Sequence, residues 1–289
     1  FFGTIEGISK MIRGFCGMVP PRAAYRCPAA RHIGIIPYLG ALAYHEIVNI
    51  LPMERGGLRM IYFTGDMHGD RKRFNAWKLR WLGEKDALVV CGDFGFLWNG
   101  SPEEEEILQW IGKRRYQVLF LEGTHDNLDL LERYPVEEWN GGLTHRITGN
   151  LRHLIRGQIF SIQGKSLLAL GGGESRDAAF RRAGENWWPQ ELPAYEELPD
   201  WSRRLEEAGG QVDYIASHQA PTNVDSCITG TVCEVTALTA FMDQLQQKYR
   251  FGRWFFGSYH QNRIVPPKYC CLFDRVVPGE PKKKRRKKG

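Results

Sequence analysis

Seven acids and histidines follow short apolar runs in this chain, and their side chains are of the kind that hold a metal ion. They are Asp66 and His68 in Asp66-Met67-His68, Asp93 after Gly92, and His125 and Asp126 in Gly123-Thr124-His125-Asp126. His218 after Ser217 and His260 in Gly257-Ser258-Tyr259-His260 complete the series. Carboxylate oxygens and imidazole nitrogens, with no cysteine among them, make a mixed donor set suited to a divalent transition metal such as manganese, iron or zinc. One such residue near a strand end is usually only a satisfied polar group. Asp66, His68, Asp93, His218 and His260 taken together point to metal binding.

The elements that must position them are short. The runs at 60–65, 87–91, 118–121, 212–216 and 254–256 are rich in β-branched and aromatic residues and read as buried strands. Strands that each deliver an Asp or His at the carboxyl end describe the active-site rim of an α/β sheet. Between them, 70–82 suits a partly buried helix, and 126–134 a short one. Ser101-Pro102 followed by four glutamates is a strong helix start, closed by Lys113-Arg114-Arg115. The stretches 158–162 and 166–170, joined at Gln163-Gly164-Lys165, predict a β-hairpin. A Gly-rich turn at 171–177 follows; Glu174, Ser175 and Asp177 within it are read as turn residues without a ligand role. Helices are expected over 196–208 and 234–249, and a closing strand over 268–277. The sum is an α/β fold of two packed mixed β-sheets flanked by helices.

The order D-x-H, G-D, G-N-H-D/E, H and G-H-x-H resembles the calcineurin-like metallophosphoesterase superfamily, over residues 60–277. Trp187-Trp188-Pro189, Ser217-His218-Gln219-Ala220-Pro221 and Trp254-Phe255-Phe256-Gly257 resemble a bacterial branch of it. The resemblance implies metal-dependent hydrolysis of a phosphate mono- or diester. It assigns a first metal to Asp66, His68, Asp93 and His260. A second would take Asp93 and His218, but Thr124 stands where the family has Asn and Ser258 where it has His, so that site is expected to be weak or absent. His125 takes the family's catalytic position beside the leaving group, with Asp126 expected to orient it. The altered second site also admits a reading from another class, a binding or scaffold protein on a weakened phosphoesterase fold.

Composition bounds the rest. The basic run 282–288, KKKRRKK, accounts for the net charge of +6. Residues 60–281 carry 25 basic and 30 acidic side chains, so the body gives no argument for nucleic-acid binding, which is left to the tail. Seven cysteines without a C-x-x-C pair read as reduced thiols of a cytoplasmic protein, with Cys270 and Cys271 packed in the core. Residues 1–59 are punctuated by prolines and lack a steady period; their apolar stretch at 33–51 is too interrupted for a membrane helix. Codons for Arg55-Gly56-Gly57 can spell a ribosome-binding site just before Met60. The leader 1–59 is therefore expected to be translated upstream sequence, with the phosphoesterase-like domain over 60–278 and a disordered tail over 279–289.

Overall fold

A computed structural model of the chain describes residues 60–280; the leader at 1–59 and the basic run at 282–288 lie outside that range. Strands β1 (Ile61–Gly65), β2 (Ala87–Cys91) and β3 (Gln117–Phe120) pair in parallel, as their continuous apolar runs require. A parallel strand covered on both faces cannot alternate polar with apolar residues. β4 (Val136–Trp139), β5 (Gly142–Thr148) and β6 (Leu151–Leu154) extend this sheet, and a short β13 (Val277–Pro278) closes its other edge in the order β13-β1-β2-β3-β6-β5-β4.

The second sheet begins with the predicted hairpin, β7 (Ile159–Ile162) and β8 (Lys165–Leu170). Its two-residue turn, Gln163-Gly164, has positive φ at both positions, the conformation that matches strand twist in a tight hairpin. Parallel to β8 run β9 (Gln211–Ser217) and β10 (Arg250–Phe256), then β12 (Tyr269–Cys271), with β11 (Arg263–Val265) on the edge. Thus the fold has two mixed sheets, of seven and six strands.

The sheets pack face to face. Phe63, Val89, Cys91 and Leu119 of the first meet Leu167, Ala169, Tyr214, Ala216 and Phe255 of the second in one buried cluster. Phe63 and Phe255 stack with centroids 3.9 Å apart. The intervening residues Leu168, Leu170, Ile215, Trp254 and Phe256 turn to the opposite face of the second sheet. There they bury against α3 (Leu198–Glu207), α4 (Thr222–Thr229) and α5 (Ala237–Lys248). On the first sheet's side, α1 (Pro102–Gly112) starts at Ser101, whose hydroxyl accepts the Glu104 N–H, and α2 (Leu128–Leu131) starts at Asn127.

Two expectations change. Residues 70–82 form two 3-10 turns, Arg71–Asn75 and Trp77–Trp81, broken at Ala76, whose ψ of 128° is extended. Long-range anchors override the helical pattern there: Arg73 reaches the carbonyls of Gly65 and Asp66, and Lys78 that of Val276. The strand expected over 268–277 splits between the two sheets as β12 and β13. Strands β4 to β6 give little sequence signal, because β4 lies on an exposed edge and buries no residue fully. Among the described residues, no helix is long and apolar enough to cross a membrane.

Candidate metal centre

The carboxyl ends of β1, β2, β3, β9 and β10 converge, and the loops leaving them are laced together. His68 N–H donates to the Asp93 carbonyl at 2.9 Å, and Gly69 N–H to that of Phe94 at 3.1 Å. The Ser258 N–H, after β10, donates to Asp66 Oδ1 at 2.9 Å and so joins the two sheets across the site. Arg73 donates to Asp66 O, Gly65 O, Thr64 Oγ1 and Phe273 O, fixing the end of β1. His68, Asp93, Ser258 and His260 all hold positive φ, between 44° and 68°. A non-glycine residue in that region costs about 1–3 kcal/mol, and such strain clusters at functional sites. At Gly123 a Cβ would lie 2.1 Å from Asp93 Oδ1, so only glycine lets β3 pass this close to the carboxylate.

The five expected ligands meet in two trios that share Asp93. His68, Asp93 and His260 form an open one; Asp66, Asp93 and His218 form a buried one, each with its donor atoms within 4.8 Å of one another. In the first, His68 Nε2 stands 2.9 Å from His260 Nε2 and 3.7 Å from Asp93 Oδ2. In the second, His218 lies 3.5 Å from Asp66 Oδ1 through Nδ1 and 3.5 Å from Asp93 Oδ1 through Nε2. Two donors about 2.1 Å from one ion stand roughly 3.0–3.4 Å apart at octahedral or tetrahedral angles, near the His68–His260 and His218 Nε2–Asp93 spacings; His218 would give one ion a single ring nitrogen. Asp66 Oδ2 and His218 Nε2 are buried without a hydrogen-bond partner. Orphaned acceptors of this kind are rare in folded proteins, and both suit a cation. The residues present therefore fit a divalent metal.

Asp66 differs from expectation, grouping with His218 rather than with His68 and His260. The Ser258 N–H pins its Oδ1, and the paired side chain at 258 is a hydroxymethyl group instead of an imidazole. Thr124 Oγ1 lies 3.2 Å from His125 Nδ1, and Ser258 meets the site through its backbone N–H.

His125 sits on the rim beside Asp93. Its N–H donates to Asp93 Oδ1 at 2.8 Å, and its Nδ1 lies 2.9 Å from Asp93 Oδ2. Its Nε2 faces Arg181 NH2 at 2.7 Å. A guanidinium only donates, so Nε2 accepts and the imidazole proton resides on Nδ1, toward Asp93. Asp126 does not orient this ring. Its buried carboxylate instead accepts the N–H groups of Phe94, Gly95 and Gly123, tying the loop after β2 to the loop after β3.

The sequence pattern of the calcineurin-like phosphoesterase family matches residues 60–262. The chain belongs to that family. No curated protein matches the chain. Among solved structures, the chain is similar to a phosphopantetheinyl hydrolase from Mycobacterium tuberculosis, with 13% identity, 75% of this chain and 90% of that chain covered, and a TM-score of 0.38. It is also similar to a protein of unknown function from Aquifex aeolicus, with 17% identity, coverage of 57% and 80%, and a TM-score of 0.28.

Electrostatics separates the carboxylates of this phosphoesterase site. Burial alone would raise the Asp93 carboxyl, but His218, His125 and His68 together hold it well below the usual carboxylate range. Burial prevails at Asp66 and raises it, against the pull of His218. At His218 burial works to lower the imidazole, but Asp93 and Asp66 outweigh it and raise it. Asp126 is pushed up to about 6 by burial and by Asp93.

Among the described residues, neither Glu174 nor Asp177 groups with the two trios. The Glu174 carbonyl accepts Gln219 Nε2, Ser175 bonds Glu191, and Asp177 pairs with Arg181. Sequence reasoning missed Arg73 and Arg181. Arg73 is one of three successive cations, Arg71-Lys72-Arg73, and Arg181 one of two, so nothing local marks which of them turns inward.

Proposed function

We propose that this chain is a metal-dependent phosphoesterase that hydrolyses a phosphate mono- or diester in the cytoplasm. Asp66, His68, Asp93, His218 and His260 hold the metal, manganese, iron or zinc. The position that would have used residues 124 and 258 is the weaker, because a hydroxyl is a poorer ligand than the amide oxygen or imidazole nitrogen of the family. The observation that carries the reading is Asp93, shared by both trios and bonded to His125 through both carboxylate oxygens. A bound divalent ion supplies charge to the phosphoryl oxygens and acidifies the attacking water. Asp93 holds the His125 ring by Nδ1, while Nε2 accepts from Arg181. His125 acts as the acid only once Nε2 exchanges its Arg181 contact for a proton, which then passes to the departing ester oxygen, so that water and ester leave as alcohol and phosphate. Nucleic acid would engage only the basic tail, since the body is acidic.

The loss of donors at Thr124 and Ser258 favours a second reading, a weakened phosphoesterase fold that binds rather than cleaves. Purified protein loaded with manganese, assayed on p-nitrophenyl phosphate and bis(p-nitrophenyl) phosphate, separates them. Turnover that falls on His125→Ala with metal content intact supports the enzyme. Stoichiometric metal with no turnover of either ester supports the binding protein.

A further inference from the structure

Arg181 belongs to no motif of the site, yet it ends on the residue expected to meet the leaving group. Its guanidinium reaches His125 Nε2 at 2.7 Å and the Thr124 carbonyl at 2.9 Å, and pairs with Asp177 at 2.9 Å. Only 10% of its side chain is exposed, whereas Asp177 is 57% exposed. The planar fork is therefore held on the same loop that carries Thr124, where the donor set is poorer. The route that brings it there is tight: at Gly173, eight residues earlier, a Cβ would sit 3.1 Å from His218 Cδ2. Three of the four groups that Arg181 touches are uncharged acceptors, the Thr124 and Asn186 carbonyls and His125 Nε2, and its one counter-ion is on the surface. A guanidinium held this way keeps charge to spare for an anion, and its geometry matches two phosphate oxygens.

We propose that Arg181 is a phosphate-binding residue of this site, gripping phosphoryl oxygens beside His125 and supplying there positive charge that residues 124 and 258 do not recruit. The inference rests on the phosphoesterase reading for its substrate, but its chemistry is that of any phosphate dianion or diester anion at the rim. In phosphoryl transfer, charge spreads over the equatorial oxygens, and an arginine aimed at them acts without moving a proton. Asp177 is a positioning residue, holding the fork toward His125 without touching phosphate.

The test is titration calorimetry of inorganic phosphate into the manganese-loaded protein, with metal content measured on each sample. Arg181→Ala should weaken phosphate binding by about ten- to a hundredfold, the range of a charge-assisted contact. Arg181→Lys, which keeps charge but not the fork, should fall between, and Asp177→Asn should weaken binding less than Arg181→Ala. Metal content and the far-ultraviolet circular dichroism should match wild type. Where an ester is turned over, Arg181→Ala should raise KM and lower kcat. Unchanged phosphate affinity in Arg181→Ala overturns the proposal, as does loss of manganese, which would make Arg181 a brace for the ligand loop. No phosphate binding by wild type overturns it too. Turnover that survives Arg181→Ala unaltered leaves the enzyme standing and removes this inference. Phosphate binding that depends on Arg181, without any turnover, keeps the inference and removes the enzyme.

Discussion

Replacing Asp93 with Asn keeps the shape of the shared ligand and removes its charge, so it tests the two-trio arrangement with little steric disturbance. In the wild type, Asp93 Oδ1 lies 3.5 Å from His218 Nε2 and Oδ2 lies 3.7 Å from His68 Nε2, so both donor trios lose one anionic oxygen together. Two unit charges 4 Å apart interact by about 4 kcal/mol at an effective dielectric constant near 20. Asp93 would stand nearer its ion than that, so the loss in affinity should reach at least about a thousandfold. Manganese at a thousand times its Kd stabilises the wild type by about 4 kcal/mol; at a thousandfold weaker affinity the same manganese gives only about 0.4 kcal/mol. For a body of about 220 residues, each kcal/mol moves the melting temperature by about 2–4 °C, so a rise of about 8–16 °C should shrink to about 1–2 °C. Differential scanning fluorimetry with and without manganese reads this directly, beside elemental analysis. The chelator-treated variant must still melt cooperatively, which its retained His125 N–H bond to Oδ1 favours. A variant that keeps the wild-type rise would mean that Asp93 does not ligate, and the reasoning from shared geometry would fall with it.

Restoring the family's donors, Thr124→Asn with Ser258→His, should add a second ion by elemental analysis and raise diester hydrolysis well above wild type; position 258 already has the left-handed backbone that His68 and His260 tolerate. A second ion without a rise in rate would defeat the enzyme reading. Arg73→Met should destabilise the fold by about 2–4 kcal/mol, since it strips donors from the carbonyls of Gly65, Asp66 and Phe273; a urea midpoint within error of wild type would refute that role. His145 is pulled down to about 4 by burial and by His153, against Glu122, so the folded state binds fewer protons than the unfolded chain between pH 4 and 6.5. Its contribution is present above that window and lost as pH falls through it, at most about 3 kcal/mol and nearer 1–2 after allowing for its partial exposure. His145→Gln should reduce the fall in stability between pH 7 and 4, measured by denaturant titration; an unaltered pH profile would contradict the assignment.

What the sequence revealed of this site follows from which physical signals are local. Strand-end ligands are legible because an apolar run and the residue after it are adjacent in the chain, so Asp66, Asp93 and His218 can be placed by counting. The hairpin at Gln163-Gly164 and the helix start at Ser101 are legible for the same reason: backbone geometry and capping are decided within four residues. Arg73 and Arg181 act across the fold, and an arginine beside other cations carries no trace of the carbonyl or imidazole it will meet. Asp126 shows the failure most plainly. Its place next to His125 suggested that it steadies the ring, yet a buried loop must first satisfy its own N–H groups. The carboxylate with three such donors within 3.2 Å, from Phe94, Gly95 and Gly123, answers that demand. Asp93, 32 residues away in sequence, is then the acid left to hold His125. Adjacency in the chain predicted the wrong carboxylate because backbone satisfaction outranks side-chain pairing in a buried turn. The same ordering makes Asp126 a structural residue: Asp126→Asn, which still offers one acceptor oxygen, should cost more in stability than in metal binding.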